Sequence, residues 1–239
     1  MRIGSLRGIR KPFDRLVDLF ERRSPVNEKW FINIVLNDAD GRPIKMFSQE
    51  VHSFVGNWAV LVASMYNVVY GNAGMTPSGI IVDFTTKQYI NPTVAVPPSS
   101  ALPVGLAYTA LAPSGDQNYG ILVGNGGGGV GVEDQQLVQQ ILNGTSTGQL
   151  QYGSVTVGSV NLNPTSNTAT FSITRSFTNN SGGSITVTEV GLALKVAVSS
   201  NYVVVGSGHM LVAHDFLSQS VTVANGQSLT VTYTYTLTA

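Results

Sequence analysis

Residues 168–198 read TATFSITRSFTNNSGGSITVTEVGLALKVAV, and this stretch decides the class of fold. From Thr168 to Phe177 the chain alternates strictly. Ala169, Phe171, Ile173 and Phe177 lie on one face, with Thr or Ser on the other. A period of two with one apolar face is the pattern of a half-buried strand. Turn residues follow over 178–183, and a second β-rich run covers 184–198. Arg175 shares its face with Phe171, Ile173 and Phe177, and Glu189 shares its face with Ile185 and Val187. A charge on an apolar strand face is costly unless it is paired. Pairing Phe177 with Ile185 in a hairpin puts Arg175 diagonal to Glu189, so the two are expected to form a structural ion pair that sets register. The apolar residues change parity after Glu189, to Val190, Leu192 and Leu194, which predicts a β-bulge there.

Working outward, further strands are expected at about 150–160, 202–205, 209–217, 220–224 and 228–238. Val221 and Val223 face Leu229 and Val231 across an Asn225-Gly226-Gln227 loop, read as a three-residue hairpin. Upstream, Gly120–Val123 reads as a strand, followed by a glycine loop and a short helix around Glu133–Leu142 closed by Asn143-Gly144. Many short strands separated by turn residues predict an antiparallel β-sandwich over 119–239. Residues 26–118 are expected to hold a hairpin, a long helix and a Pro-rich connection. The hairpin is Lys29–Leu36 and Pro43–Phe47 around an Asp40-Gly41 turn. The helix is Ser48–Tyr70, with Val51, Phe54, Val55, Trp58, Leu61, Val62, Met65, Tyr66 and Val69 at helical spacing. Gly56, Asn57, Ser64 and Asn67 break its apolar character, which favours a core helix over a membrane span. Residues 1–25 form a basic arm. Phe13, Leu16, Val17 and Phe20 mark one face of a helix that starts at Pro12 and stops at Ser24-Pro25. The expected class is thus mainly β, a sandwich with a long amphipathic helix and an N-terminal helical arm.

The chain has 239 residues, no Cys, and only 11% charged residues, less than half of the roughly 25% typical of soluble domains. Residues 1–45 carry ten Lys/Arg against six Asp/Glu, and residues 46–239 carry three against seven. The body therefore lacks the basic footprint of a sequence-specific nucleic-acid reader. Gly124-Asn125-Gly126-Gly127-Gly128-Gly129 satisfies GxGxxG. No helix opens at its third glycine and no acidic residue follows about twenty positions on, so a dinucleotide site is not expected. Strand alternation separates His214 from His209 and Asp215, and His52 lies elsewhere, so no metal site or His-based catalytic set is expected. Without Cys or a GxSxG elbow, no nucleophile is in evidence. The expectation is a chain that is not an enzyme and uses no cofactor.

The C-terminal half resembles a module of tailed-bacteriophage virion proteins, such as tail-fibre, collar and neck-associated components. The matching elements are GILVGNG at Gly120–Gly126, the Asp134…Leu137…Ile141 segment, and Arg175…Phe177-Thr178-Asn179-Asn180-Ser181-Gly182. They continue with Ile185-Thr186-Val187-Thr188-Glu189-Val190-Gly191-Leu192 and with Met210–Asp215, before a Thr/Tyr-rich last strand. Glu-Val-Gly-Leu is the most specific of these, and family members often carry Arg where this chain has His214. The resemblance covers about 119–239. It implies a non-enzymatic structural component of a virion that assembles with itself and with other virion proteins. A receptor- or glycan-binding adhesin is the alternative, with Tyr89, Tyr108 and Tyr119 as candidate contact aromatics.

Overall fold

In a computed structural model of the protein, residues 27–51, 53–59, 81–82, 89–90, 108–200 and 203–239 are described. The strands are β1 (Asn27–Asn37), β2 (Pro43–Glu50), β3 (Ile81–Val82), β4 (Tyr89–Ile90), β5 (Tyr108–Thr109), β6 (Gly120–Gly124) and β7 (Gln151–Tyr152). They continue with β8 (Thr156–Val157), β9 (Asn161–Asn163), β10 (Thr168–Thr178), β11 (Ile185–Ser200), β12 (Val203–Val223) and β13 (Ser228–Thr238). The first sheet has the order β2-β1-β13-β10-β7, with β8 and β9 also on β10. The second has the order β12-β11-β5, with β6 also on β11, and β3 and β4 form a separate ladder. The strand pairings are antiparallel.

The mainly β, antiparallel class expected from the sequence is what forms. Alternation places Trp30, Ile32, Ile34 and Leu36 of β1 and Leu229, Val231 and Tyr233 of β13 in the core. They share it with Ile185, Val187, Val190 and Leu192 of β11 and Val221 and Val223 of β12. The outer face of the first sheet explains the low charge. Six directly opposed Ser/Thr pairs, from Thr168↔Thr238 to Thr178↔Ser228, line β10 and β13. Hydroxyls bond across this ladder, as in Thr174–Thr232 at 3.0 Å and Ser176–Thr230 at 3.1 Å, a source of cross-strand stabilisation that uses no charge.

The β1–β2 hairpin forms as expected, with Gly41 at φ 81° in the turn. It is built into the sandwich, because β1 pairs with β13 along its whole length; a boundary at 118/119 therefore does not separate it from the rest. Two other hairpins are corrected. β10 pairs with β13, whereas β11 pairs with β12, so 178–184 crosses from one sheet to the other. The same holds for 224–227: Val221 and Val223 face Leu229 and Val231 across the core, not along one ladder. Asn179 ties the two crossings together. Its buried amide donates to Val223 O at 2.6 Å and Gly183 O at 2.8 Å, and its main chain bonds Gln227 and Gly226.

The long helix also needs correction at its start. Ser48–Glu50 complete β2, and among the described residues helical backbone appears only at 56–59. Residues 60–70 and the arm at 1–25 lie outside the described residues. Among the described residues no helix is long and apolar enough to cross a membrane. The short helix expected at Glu133–Leu142 is an irregular loop.

Asn179→Ala leaves the buried Val223 carbonyl, and the more exposed one of Gly183, without their donor. It should lower unfolding free energy by about 1–3 kcal/mol, read as a shifted urea midpoint with unchanged slope.

Candidate functional site

Arg175 projects from the inner face of β10 and is 1% exposed. A guanidinium has five N–H donors in a fixed plane, and here they meet five main-chain carbonyls. Nε donates to Gly153 O at 2.8 Å, and Nη1 to Tyr119 O at 2.9 Å and Ile121 O at 3.0 Å. Nη2 donates to Pro113 O at 3.4 Å and to Asp116 O. The group also lies over the Tyr152 ring, 4.6 Å from its centroid. Burial pulls its pKa down to about 10, against the opposing pull of Tyr152, Asp116 and Tyr119, so it stays charged at neutral pH. Tyr152 extends the same network, donating its hydroxyl to Ile141 O at 2.6 Å. Burial pushes that hydroxyl's pKa up to about 12.

Glu189 is fully buried on the second sheet. Its Oε1 accepts from the main-chain N–H of Gly126 at 2.9 Å and of Gln139 at 2.8 Å. Oε2 accepts from Val138 N–H at 2.9 Å and lies 2.8 Å from His214 Nε2. His214 Nδ1 in turn lies 2.8 Å from Asp134 Oδ2, which also accepts from Gly131 N–H. An imidazole between two carboxylates bonds both only when both nitrogens carry hydrogen. Burial pushes His214 toward the neutral form, but the bonds to Glu189 and Asp134 outweigh it and raise its pKa. For Glu189 burial raises the pKa, and His214 with the three main-chain donors brings it net below the ordinary carboxylate value. The result is a carboxylate–imidazolium–carboxylate chain.

The expected Arg175–Glu189 ion pair is therefore corrected. The two residues stand in opposite sheets: Arg175 bonds main chain of the segment 113–121 and Gly153, and Glu189 bonds main chain of Gly126, Val138 and Gln139 together with His214. The parity change was also misplaced by one step. The register shift falls between Val187 and Glu189, where Val187 opposes Val221 and Glu189 opposes Phe216. That shift turns Glu189 away from the face of Ile185 and Val187. A second shift between Leu192 and Ala193 leaves Val212 as the extra residue on β12. His209 and His214 consequently share a face, and Asp215 takes the other. His209 stacks on Tyr119, with centroids 5.6 Å apart, and so stands with Tyr119 and not with His214. His52 lies outside the described residues, and among those described no group of three or more His, Asp or Glu is arranged to hold a metal ion.

The glycine motif has an unexpected occupant. A Cβ on Gly126 would sit 2.6 Å from Glu189 Oε1, and one on Gly124 would sit 2.6 Å from Gln139 O. Gly127, Gly128 and Gly129 have open space around them. The loop cradles an anion, as glycine-rich loops do, but the anion is the protein's own carboxylate. The same bonds explain the missing helix. The N–H groups of Val138 and Gln139 are taken by Glu189 and that of Ile141 by Val123 O at 2.9 Å, leaving none of them for helical partners. Two signals in the sequence pointed here: an acidic residue isolated among apolar neighbours, and glycines just before Asp134.

Within Glu-Val-Gly-Leu, Glu189 fills the cradle and Val190 and Leu192 are buried. A Cβ on Gly191 would approach Leu137 Cδ2 and Leu211 Cδ1 to 2.9 Å each. Each residue of the signature thus has a packing role. Compared with protein-family models, curated proteins and solved structures, the chain matches none.

The pH dependence follows from the two shifts. The lowered pKa of Glu189 contributes stability that is complete above its ordinary value of 4.5 and is lost as pH falls through the lowered one. The raised pKa of His214 contributes stability that is complete below 6.5 and is lost as pH rises through the raised one. Urea midpoints should therefore be highest between these ordinary values and fall on the alkaline side. His214→Gln should flatten the alkaline limb while lowering the plateau by about 1.5–3 kcal/mol, the worth of a hydrogen bond to a charged group. A variant with an unchanged alkaline limb would show that His214 does not titrate in this role.

Proposed function

We propose that the chain is a non-enzymatic structural subunit of a tailed-phage virion, assembling through contacts with itself and with other virion proteins. The observation that carries this reading is the use made of the residues in the resembling segment. Arg175, Glu189, His214, Asp134 and the glycines of 124–126 are the groups that would serve a reactive or ligand-binding site. Their polar atoms are spent on main chain and on one another. A body with so few charges and a hydroxyl-covered sheet suits permanent neighbours better than a free existence in solution. The adhesin alternative draws less support, because Tyr119 is buried against His209 and offers no ligand a face.

Gold-labelled antibody to the chain, applied to purified particles, tests the proposal. Label at one fixed place on the particle is the expected result. A chain that never copurifies with particles would contradict it.

A further inference from the structure

The two edges of the first sheet differ in a way that selects a partner. The β2 edge carries Arg42, Pro43, Lys45 and Glu50, the proline and charged side chains that keep an edge strand from pairing with another chain. The opposite edge is the run 156–163, where β8 and β9 lie along β10 and pair with no other described strand. Within 156–163 it has neither a charged side chain nor a proline. No charged residue occurs between Asp134 and Arg175. Both edges expose apolar side chains, Ile44 and Met46 on β2 and here Val157 at 45%, Val160 at 63% and Leu162 at 70%, but only on this edge are they free of charged neighbours in the run. Just before it the chain is covered, since Val155 N–H donates to Ala112 O at 2.8 Å. An uncharged, apolar, hydrogen-bonding edge is a template for strand addition.

We infer that residues 156–163 are a self-association edge, pairing with the same edge of a second copy of this chain about a two-fold axis. This rests on the reading of the chain as a self-assembling subunit. Two features select a second copy as the occupant. About a two-fold axis residue i meets residue j of the copy and a residue at the axis meets itself, so like charges near the axis would repel. This edge carries no charge, and self-pairing meets no repulsion anywhere along it. Its exposed valines and leucine find equivalent apolar groups on the copy, while the unpaired main-chain groups of the two edges satisfy each other. The two first sheets then continue into one.

The natural absence of Cys allows a direct test on the full-length chain. Single Cys variants at Val157, Val160 and Leu162 are oxidised, and Met46→Cys on the β2 edge serves as control. Near a two-fold axis a residue faces its own copy, so at least one of the three should give disulfide dimers, and Met46→Cys should not. In sedimentation, Leu162→Lys should raise the self-dissociation constant about tenfold or more, ~1.4 kcal/mol, whereas Met46→Lys leaves it unchanged. If the unaltered protein oligomerises but Leu162→Lys does not weaken it, the edge inference falls and the self-assembling reading stands. If Leu162→Lys and Met46→Lys weaken it equally, the contact joins unlike edges and the two-fold form is wrong. An unaltered protein that stays monomeric at every concentration overturns both.

Discussion

A guanidinium buried in a sandwich core loses its hydration, and in this protein main-chain carbonyls replace it. Arg175 meets carbonyls of Pro113, Asp116, Tyr119, Ile121 and Gly153, drawn from three separate stretches of chain. No carboxylate is among these partners, so the charge is offset by dipoles arranged around a planar fork. The arrangement constrains what surrounds it. The turn at 113–116, the entry to β6 and the stretch after β7 must all point oxygen atoms at one point. Lysine, with a single compact ammonium, could not satisfy carbonyls arranged for a plane of five donors.

Glu189 applies the opposite rule on the other sheet. Its carboxylate gathers N–H groups from Gly126, Val138 and Gln139, and His214 links it to Asp134. Apart from Gly153 O, the buried Arg175 thus collects its acceptors, and the buried Glu189 its main-chain donors, from a segment, 113–141, whose regular structure is β6. Such a segment buries main-chain polar groups that no sheet ladder satisfies, and each would carry a desolvation cost. The two charges supply those partners. This is why a layer of irregular chain can be held as firmly as a strand, and why residues that look reactive in the sequence are enclosed.

Alternation told correctly which residues of 168–177 and 228–238 face inward, but it is silent on partners. A hairpin and a crossing between sheets place the same side chains in the core, so Phe177 and Ile185 could be assigned to one ladder when they belong to two. The deciding information lies in Asn179, whose amide bonds carbonyls at both crossings; in sequence it looks like any turn asparagine. Leu137 and Ile141 repeat at helical spacing, which suggests a helix at 133–142 that the structure does not form. Their burial is real, but a carboxylate fifty residues away takes the N–H groups that a helix needs. Arg175 and Glu189 stood out at once as isolated charges, and both proved central. What remained hidden was that each is paired with backbone, which no pattern of side chains displays.

Glu189 holds the glycine-loop layer through three main-chain amides. Hydrogen exchange followed amide by amide in the native protein tests it most directly. Gly126, Val138 and Gln139 should exchange as slowly as core amides of β1 and β13, while Gly127–Gly129 exchange freely. In Glu189→Ala the three should become fast while β1 and β13 stay protected, the signature of local opening. If the three already exchange as fast as Gly127–Gly129 in the unaltered protein, the carboxylate does not hold the loop.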